Sequence, residues 1–560
     1  MIDRVLRPRY SRSRANRLTI PMVDTKDSLK TSTPAASGGS VDTSVVVVGD
    51  GDLSLEAVLR LAEGHARPVL HGSVRERMRA SYELTQRRLK DGHRIYGVTT
   101  GYGAAVKNRV PPASSAELSL NLLRFHGCGT GRLLTPTESA AVLAVRLCSV
   151  TAGLSGIRPQ VAERLCVLIS ERILPAIPAE GSVGASGDLT PLSYVAAVLI
   201  GEREVLTADG TSTRPAREVL AEHGLEPLEL GPKEALALMN GTSVATALGI
   251  LAYAGARRLA RVAAAVTALA SRAIGGNPEH FEALLHQAKP HPGQLMVAQW
   301  IRQDLARLRG ASNVARLQDR YSIRCTPHVV GVLVDALTWF SETLTIELNG
   351  VSDNPIVDPE HEAILHGGNF YGSHIGFVVD GLKTAVANVA DLLDRQLVLL
   401  CISGETGGLP DNLVAVKGDL SCIHHGFKAM SISASALTAE ALKQSMPMSV
   451  FSRSTESHNQ DKVPMATIGS RDALRVIELT EQVASIAALA VCQAADLGGV
   501  EADELSLYQQ IRQQVPQLVE DRRMDGDIQT VLELLRSGKL TQQAGRQAAG
   551  SAPNTEATNQ

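Results

Sequence analysis

Aromatic side chains make up only 3% of the 560 residues, too few for the base-stacking platforms of single-strand nucleic-acid binders. Charge of one sign is also missing. Lys and Arg number 55 against 58 Asp and Glu, a formal net charge of −3, so no basic field or acidic block is present. Long uninterrupted apolar runs are absent too. Arg, Glu or Asp breaks each before membrane-spanning length, which predicts no transmembrane helix. Paired cysteine spacing is lacking: Cys128, Cys148, Cys166, Cys325, Cys401, Cys422 and Cys492 are scattered. Such a set reads as reduced thiols filling small core gaps in a cytoplasmic protein. The near-zincin string His361-Glu362-Ala363-Ile364-Leu365-His366 spaces its histidines five apart, off one helical face. Cys422-Ile423-His424-His425 has no partner cluster, and Gly101-Tyr102-Gly103 lacks the third glycine of a dinucleotide loop. No nucleic acid, membrane or metal partner is therefore expected, and no repeat of fixed period occurs.

What is present reads as a mainly α protein, a long central helical bundle with a small mixed N-terminal region. Apolar residues at 44% and charged residues at 20% are ordinary for a globular chain. Residues 1–42 are rich in Arg, Ser, Thr and Gly without an apolar core segment. They read as a disordered leader, not a secretory signal. Residues 43–230 form an N-terminal region, 231–510 the long-helix bundle, and 511–560 a helical segment followed by a disordered tail. Val45 to Val48 is strand-like and precedes a helix opened by an Asp/Ser-rich turn. Thr135-Pro136-Thr137-Glu138 carries the marks of a capping box. Leu236 to Ile274, Pro327 to Leu348, Ile375 to Leu400 and Ala473 to Leu497 are dense in Ala, Leu and Val, and each predicts a long helix. Helices this apolar also bury faces between subunits.

The connecting loops have a different texture. YGVTTGYG, GSVGASGDLTPLSYV, LMNGTS, QDRYSIRCTPH, NGVSDNP, HGGNFYGSH and SRSTESHNQDKVPM are polar and punctuated by glycine. Loops of this kind on a rigid helical frame are where chemistry sits.

One of them has unusual chemical potential. In a tight turn the amide nitrogen of Gly187 can approach the carbonyl carbon of Ala185 and close a five-membered ring. Only glycine leaves that approach open. Loss of one water from the ring and of the Ser186 hydroxyl as a second leaves a methylidene on an imidazolone, an electrophile no ordinary side chain supplies. For the tripeptide alone, a plain glycine-rich loop is the better reading. The full string GSVGASGDLTPLSYVA, however, resembles the active-site signature of the histidine and aromatic amino acid ammonia-lyase family.

The resemblance spans roughly residues 50 to 500. Ile95-Tyr96-Gly97-Val98-Thr99-Thr100-Gly101-Tyr102-Gly103 resembles the family's mobile lid. Leu238-Met239-Asn240-Gly241-Thr242 is similar to its asparagine loop. Gln318 to Cys325 resembles the segment that supplies a second tyrosine and a carboxylate-gripping arginine. Asn354, Asn369 and His458-Asn459-Gln460-Asp461 complete the set.

The resemblance implies an ammonia-lyase-like fold and a 4-methylidene-imidazol-5-one formed from Ala185-Ser186-Gly187 with no external cofactor. It implies catalytic roles for Tyr96, Asn240 and Tyr321. Substrate contacts are implied for Gly103, Phe125, His126, Arg324, Asn354, Glu456, Asn459 and Gln460. Tyr96 suits a general base if nearby dipoles and cations lower its pKa from about 10, and Arg324 offers a planar fork for a carboxylate. A homotetramer is also implied, its active sites collecting loops from three subunits so that Tyr96, Arg324 and Gln460 meet across interfaces.

Phe125-His126 falls where the family lines its side-chain pocket. Phenylalanine-selective members place Phe then Leu there, tyrosine-selective ones a His, and histidine lyases Ser then His. The mixture departs from all three. Either His126 meets a para-hydroxyl, or it is structural and Phe125 walls the pocket. Histidine lyases carry an extra carboxylate directly after the Asn-Gln pair, whereas Asp461-Lys462-Val463 resembles the form in aromatic-substrate members. The resemblance thus favours deamination of L-tyrosine to trans-p-coumarate. A tyrosine 2,3-aminomutase, or a phenylalanine or histidine ammonia-lyase, is the alternative.

Overall fold

Alanine and leucine dominate the long segments because a helix surrounded by other helices needs small, straight side chains on nearly every face. The computed structural model describes residues 44–310, 316–406 and 408–541. The expected leader and the tail beyond 541 lie outside them. Helices Ser243–Ala273, Thr326–Asn349, Ser373–Leu400 and Ala466–Gly498 pack against one another as a bundle. Lys428–Lys443 lies against the last two, and Pro136–Thr151 against the first. The fold is mainly α, as expected. Its strands are short pairs, among them Ser44–Val48 running parallel to Ala66–Leu70 in the N-terminal region.

Local signals place several boundaries. Thr135 caps Pro136–Thr151 through a complete capping box: its hydroxyl accepts from Glu138 N, and the Glu138 carboxylate accepts from Thr135 N at 2.7 Å. The histidines of HEAILH fall in and just beyond a hairpin, Ile356–Asp358 with Ala363–Leu365, and not on a helix.

The continuous helix predicted from Leu236 to Ile274 is instead two, Glu234–Met239 and Ser243–Ala273. Gly241 causes the break. Its φ is +143°, and a Cβ there would collide with the Ser352 carbonyl and the Arg146 guanidinium. The buried N-terminus of Ser243–Ala273 that the break creates is closed by Asp188. One carboxylate oxygen accepts from Val244 N and Ala245 N, both at 2.9 Å, while the other is held by Ser182 and Thr467. A buried carboxyl group accepting from this helix end ties the residues after Ser186 to the bundle.

The expectation about apolar runs needs correction. Residues Tyr321–Asn349 are long and apolar enough to cross a membrane by length and composition, despite Asp335 within them. Only a third of that apolar stretch is buried within the chain. Val332 and Ile346, with Phe377 of the neighbouring helix, stand mostly exposed.

Candidate active site

Gly187 has a φ of +72°, and the backbone folds back so that Ala185 bridges to Gly187 and Gly187 to Gly241. A Cβ on Gly187 would strike the Gly241 backbone, so two glycines together permit this approach. The Ser186 carbonyl accepts from Asn240 Nδ2 at 2.8 Å and Gly241 N at 3.3 Å. Gln460 Nε2 donates to the Ser186 hydroxyl at 3.3 Å. The helix break therefore turns two donors onto one oxygen, an arrangement suited to growing negative charge.

This turn forms part of the wall of a cavity of about 810 Å³. Tyr96, Gly103, Phe125, His126, Ala185, Ser186, Gly187, Asn240, Asn354, Glu456, Asn459 and Gln460 line it. Twelve of the fourteen residues expected to act together are thus brought together within one chain. Tyr96 and Gln460 meet here without any interface, which corrects that part of the expectation.

The lid is held in place by its own backbone. Tyr96 Oη accepts from Gly103 N at 2.8 Å, and the Glu456 carboxylate accepts from Ala104 N at 3.0 Å. Glu456, Ser457 and His458 all have φ between 51° and 62°, a left-handed run that aims Glu456 at the lid. Such backbone costs on the order of 1–2 kcal/mol per residue, and functional loops are where it is retained. Tyr96 N also donates to His366 Nε2 at 3.3 Å.

The electrostatics of the lid oppose one expectation. Burial pushes the Tyr96 phenol above its ordinary value, and the nearby Glu456 carboxylate adds to this; only the Gly103 N–H acts the other way. Among the described residues no cation contributes to the expected lowering. Elsewhere in the lining, His126 Nδ1 lies 3.0 Å from the Leu122 carbonyl. A carbonyl only accepts, so Nδ1 carries the proton and Nε2 is left as an acceptor. Burial holds the His126 pKa below its ordinary value, with a smaller contribution from Arg203, so the ring stays neutral.

Tyr321 and Arg324 do not join the site. Their segment contacts Thr267 and Gln396: Gln396 Nε2 donates to the Ser322 carbonyl at 2.8 Å, and Thr267 bonds Thr326 at 3.3 Å. The electrophile turn meets the other end of the Ser243–Ala273 helix, at Val244. The two ends are roughly 35 Å apart at 1.5 Å per residue. Tyr321 is 71% exposed there, with the Arg324 guanidinium 4.6 Å from its ring centroid. Asn369 lies beside the site, its carbonyl accepting from Ser352.

Sequence reasoning passed over Tyr102, Phe370 and Tyr371, which also line the cavity. They lie within quoted motifs, and their polar-aromatic character in a glycine-rich loop was the available signal. Tyr102 Oη and Asn240 Oδ1 are buried without a hydrogen-bond partner. Orphaned polar atoms at a cavity wall are where a ligand or prosthetic group completes the bonding. The residues present therefore fit a group built on the Ser186 backbone.

The comparisons agree with this geometry. A family model described as aromatic amino acid lyase matches residues 53–515. An MIO-dependent tyrosine 2,3-aminomutase from Streptomyces globisporus is 38% identical, covering 90% of this chain and 98% of its own. A tyrosine ammonia-lyase from Cupriavidus metallidurans is 37% identical over 80% and 88%, and a histidine ammonia-lyase from Bacillus cytotoxicus 36% identical over 82% and 90%. The crystal structure of a tyrosine aminomutase from Streptomyces globisporus superposes with a TM-score of 0.82 at 36% identity, covering 88% of this chain and 97% of that one. With the cavity, the lid and the Ala185-Ser186-Gly187 turn in place, the chain belongs to the aromatic amino acid lyase family.

Proposed function

We propose that this chain deaminates L-tyrosine to trans-p-coumarate and ammonia. The observation that carries the reading is that the Ala185-Ser186-Gly187 turn, the Tyr96 hydroxyl and the His126 acceptor line one cavity. The methylidene-imidazolone group, formed from that turn, supplies a carbon electrophile that makes the amino nitrogen a better leaving group. Asn240 Nδ2 and Gly241 N would hold the oxygen of Ser186, and Gln460 lies against its side chain.

The remaining work belongs to the chain's own side chains. His126 Nε2 accepts a hydrogen bond from the para-hydroxyl and so fixes the substrate ring in the cavity. An analogue without that hydroxyl leaves the acceptor unpaired, which disfavours phenylalanine. Tyr96 Oη, as a phenolate stabilised by the Gly103 N–H, takes the β-proton and becomes the neutral phenol. The α–β double bond forms as the carbon–nitrogen bond breaks, and ammonia leaves.

The carboxylate calls for a planar cationic fork, and among the described residues the Lys or Arg side chain lining the cavity is Lys462 alone. Arg324 of a second copy supplies it in a homotetramer with shared sites, and Tyr321 travels with it. The exposed apolar face of Tyr321–Asn349 supports such assembly over a membrane role.

A second reading has a specific observation in its favour. The aminomutase relative covers nine-tenths of the chain, and that reaction shares the elimination but returns ammonia to the β-carbon. Separate incubation with tyrosine, phenylalanine and histidine decides the matter, following acrylate absorbance and resolving β-amino acids by chromatography. We expect p-coumarate to accumulate. Dominant β-tyrosine would overturn the lyase reading, and urocanate the aromatic one.

A further inference from the structure

Arg203 lies outside the cavity lining and takes no part in the chemistry above. Its backbone is nevertheless held at a φ of 63°, a left-handed conformation that is strained for a non-glycine residue. The side chain offsets that strain with three contacts. Nη2 donates to the Leu123 carbonyl at 2.6 Å, and Nη1 donates to the Ser193 hydroxyl at 2.9 Å. The guanidinium also sits 4.2 Å from the Tyr194 ring centroid. Ser193 is fully buried, with its hydroxyl 2.7 Å from the Thr190 carbonyl and 3.3 Å from that of His126.

These contacts converge on the end of the Ser115–Phe125 helix, which carries Phe125 and His126 into the cavity. Carbonyls in the last turn of a helix have no N–H partner of their own, and they form its negative end. Here His126 Nδ1 bonds Leu122 O, Arg203 bonds Leu123 O, and Gly127 N bonds Arg124 O at 3.1 Å. Gly127 leaves room for this: a Cβ there would collide with the Arg203 guanidinium. Gly127 and Arg203 fit each other as a pair. The same guanidinium disfavours a second proton on His126.

We propose that Arg203 is a positioning residue for substrate selection, clamping the last turn of this helix so that His126 presents Nε2 to a para-hydroxylated ring. The inference rests on the tyrosine reading above, and its test separates the two. Steady-state kinetics on tyrosine and phenylalanine are compared for the parent, Arg203→Met, Arg203→Lys, Gly127→Ala and His126→Phe.

Arg203→Met is expected to lower the tyrosine-to-phenylalanine ratio of kcat/KM about tenfold through the tyrosine KM, with kcat on phenylalanine held within about twofold. Arg203→Lys keeps the charge and one donor and recovers part of the ratio. Gly127→Ala displaces the guanidinium without touching Arg203. It therefore reproduces Arg203→Met, and the double variant adds nothing further. An unchanged ratio in Arg203→Met and Gly127→Ala, alongside a collapsed ratio in His126→Phe, overturns the proposal alone. Equal loss on both substrates overturns it as well, since that is the mark of a general structural role. A parent that does not prefer tyrosine overturns the tyrosine reading and this proposal with it, and an unchanged ratio in His126→Phe overturns the role of His126 and therefore this proposal.

Discussion

A tautomer decides how His126 treats a phenol. Because Nδ1–H donates to the Leu122 carbonyl, Nε2 of this cavity-lining residue keeps its lone pair. Replacing His126 with Phe removes that acceptor and should shift selectivity toward phenylalanine by about 10- to 100-fold in relative kcat/KM, the scale of one buried hydrogen bond. Tyr96→Phe should lower kcat by about 10² to 10⁴, the usual contribution of a general base. Its pH profile follows from the sign of the shift. The base is the phenolate, and burial raises the phenol's pKa, so less of it is ionised at neutral pH. Rates should climb steadily between about pH 7 and pH 10, the region around an ordinary tyrosine pKa. A flat profile across that range would contradict the assignment, as would an active Tyr96→Phe. Tyr96 was legible because it sits in a polar, glycine-marked loop, and His126 because its segment resembles the one that lines the family's side-chain pocket. The direction of the Tyr96 shift was not, because burial and the position of Glu456 depend on segments hundreds of residues apart.

The helices were legible as elements wherever Ala and Leu run without glycine or proline. The break at Asn240–Thr242 was not, because LMNGTS carries only one glycine and the tertiary approach of Ser352 and Arg146 decides its conformation. That break positions both donors on the Ser186 carbonyl, so an error about an element boundary was also an error about the site. The lid offers a direct test at this scale. Gly103 has a φ of +53°, and a Cβ on it would collide with the Glu456 carboxylate. Gly103→Ala should therefore loosen the Tyr96–Gly103 and Ala104–Glu456 bonds together. We expect kcat to fall at least tenfold, and cleavage within 96–105 by a protease to speed up, while the thermal midpoint moves by only a few degrees. Unchanged protease sensitivity with unchanged kcat would remove the lid from the mechanism.

At the scale of the whole molecule, one chain holds the electrophile turn and the carboxylate-gripping candidate at opposite ends of a helix. Sequence reading assigned Arg324 to a motif yet could not say that its segment packs at the far end of a helix roughly 35 Å long from the Ser186 turn, because motif order carries no distance. It also missed that Tyr321–Asn349 is long and apolar enough to span a membrane, since Asp335 interrupts the run without making it polar overall. If sites are shared between copies, two inactive variants should rescue each other. Co-expressed Ser186→Ala and Arg324→Met chains should regain roughly a quarter of parental activity, the fraction of sites that pair two intact halves at random. No rescue would place both residues in one chain's site or remove Arg324 from it.

The central claim is that this chain makes its electrophile from Ala185-Ser186-Gly187. The most direct measurement is the mass of the proteolytic peptide containing those residues, taken from active protein. The account predicts a peptide lighter than its sequence by two waters, and in Ser186→Ala, a folded protein with no turnover and no methylidene. A peptide of full mass from fully active enzyme would contradict it.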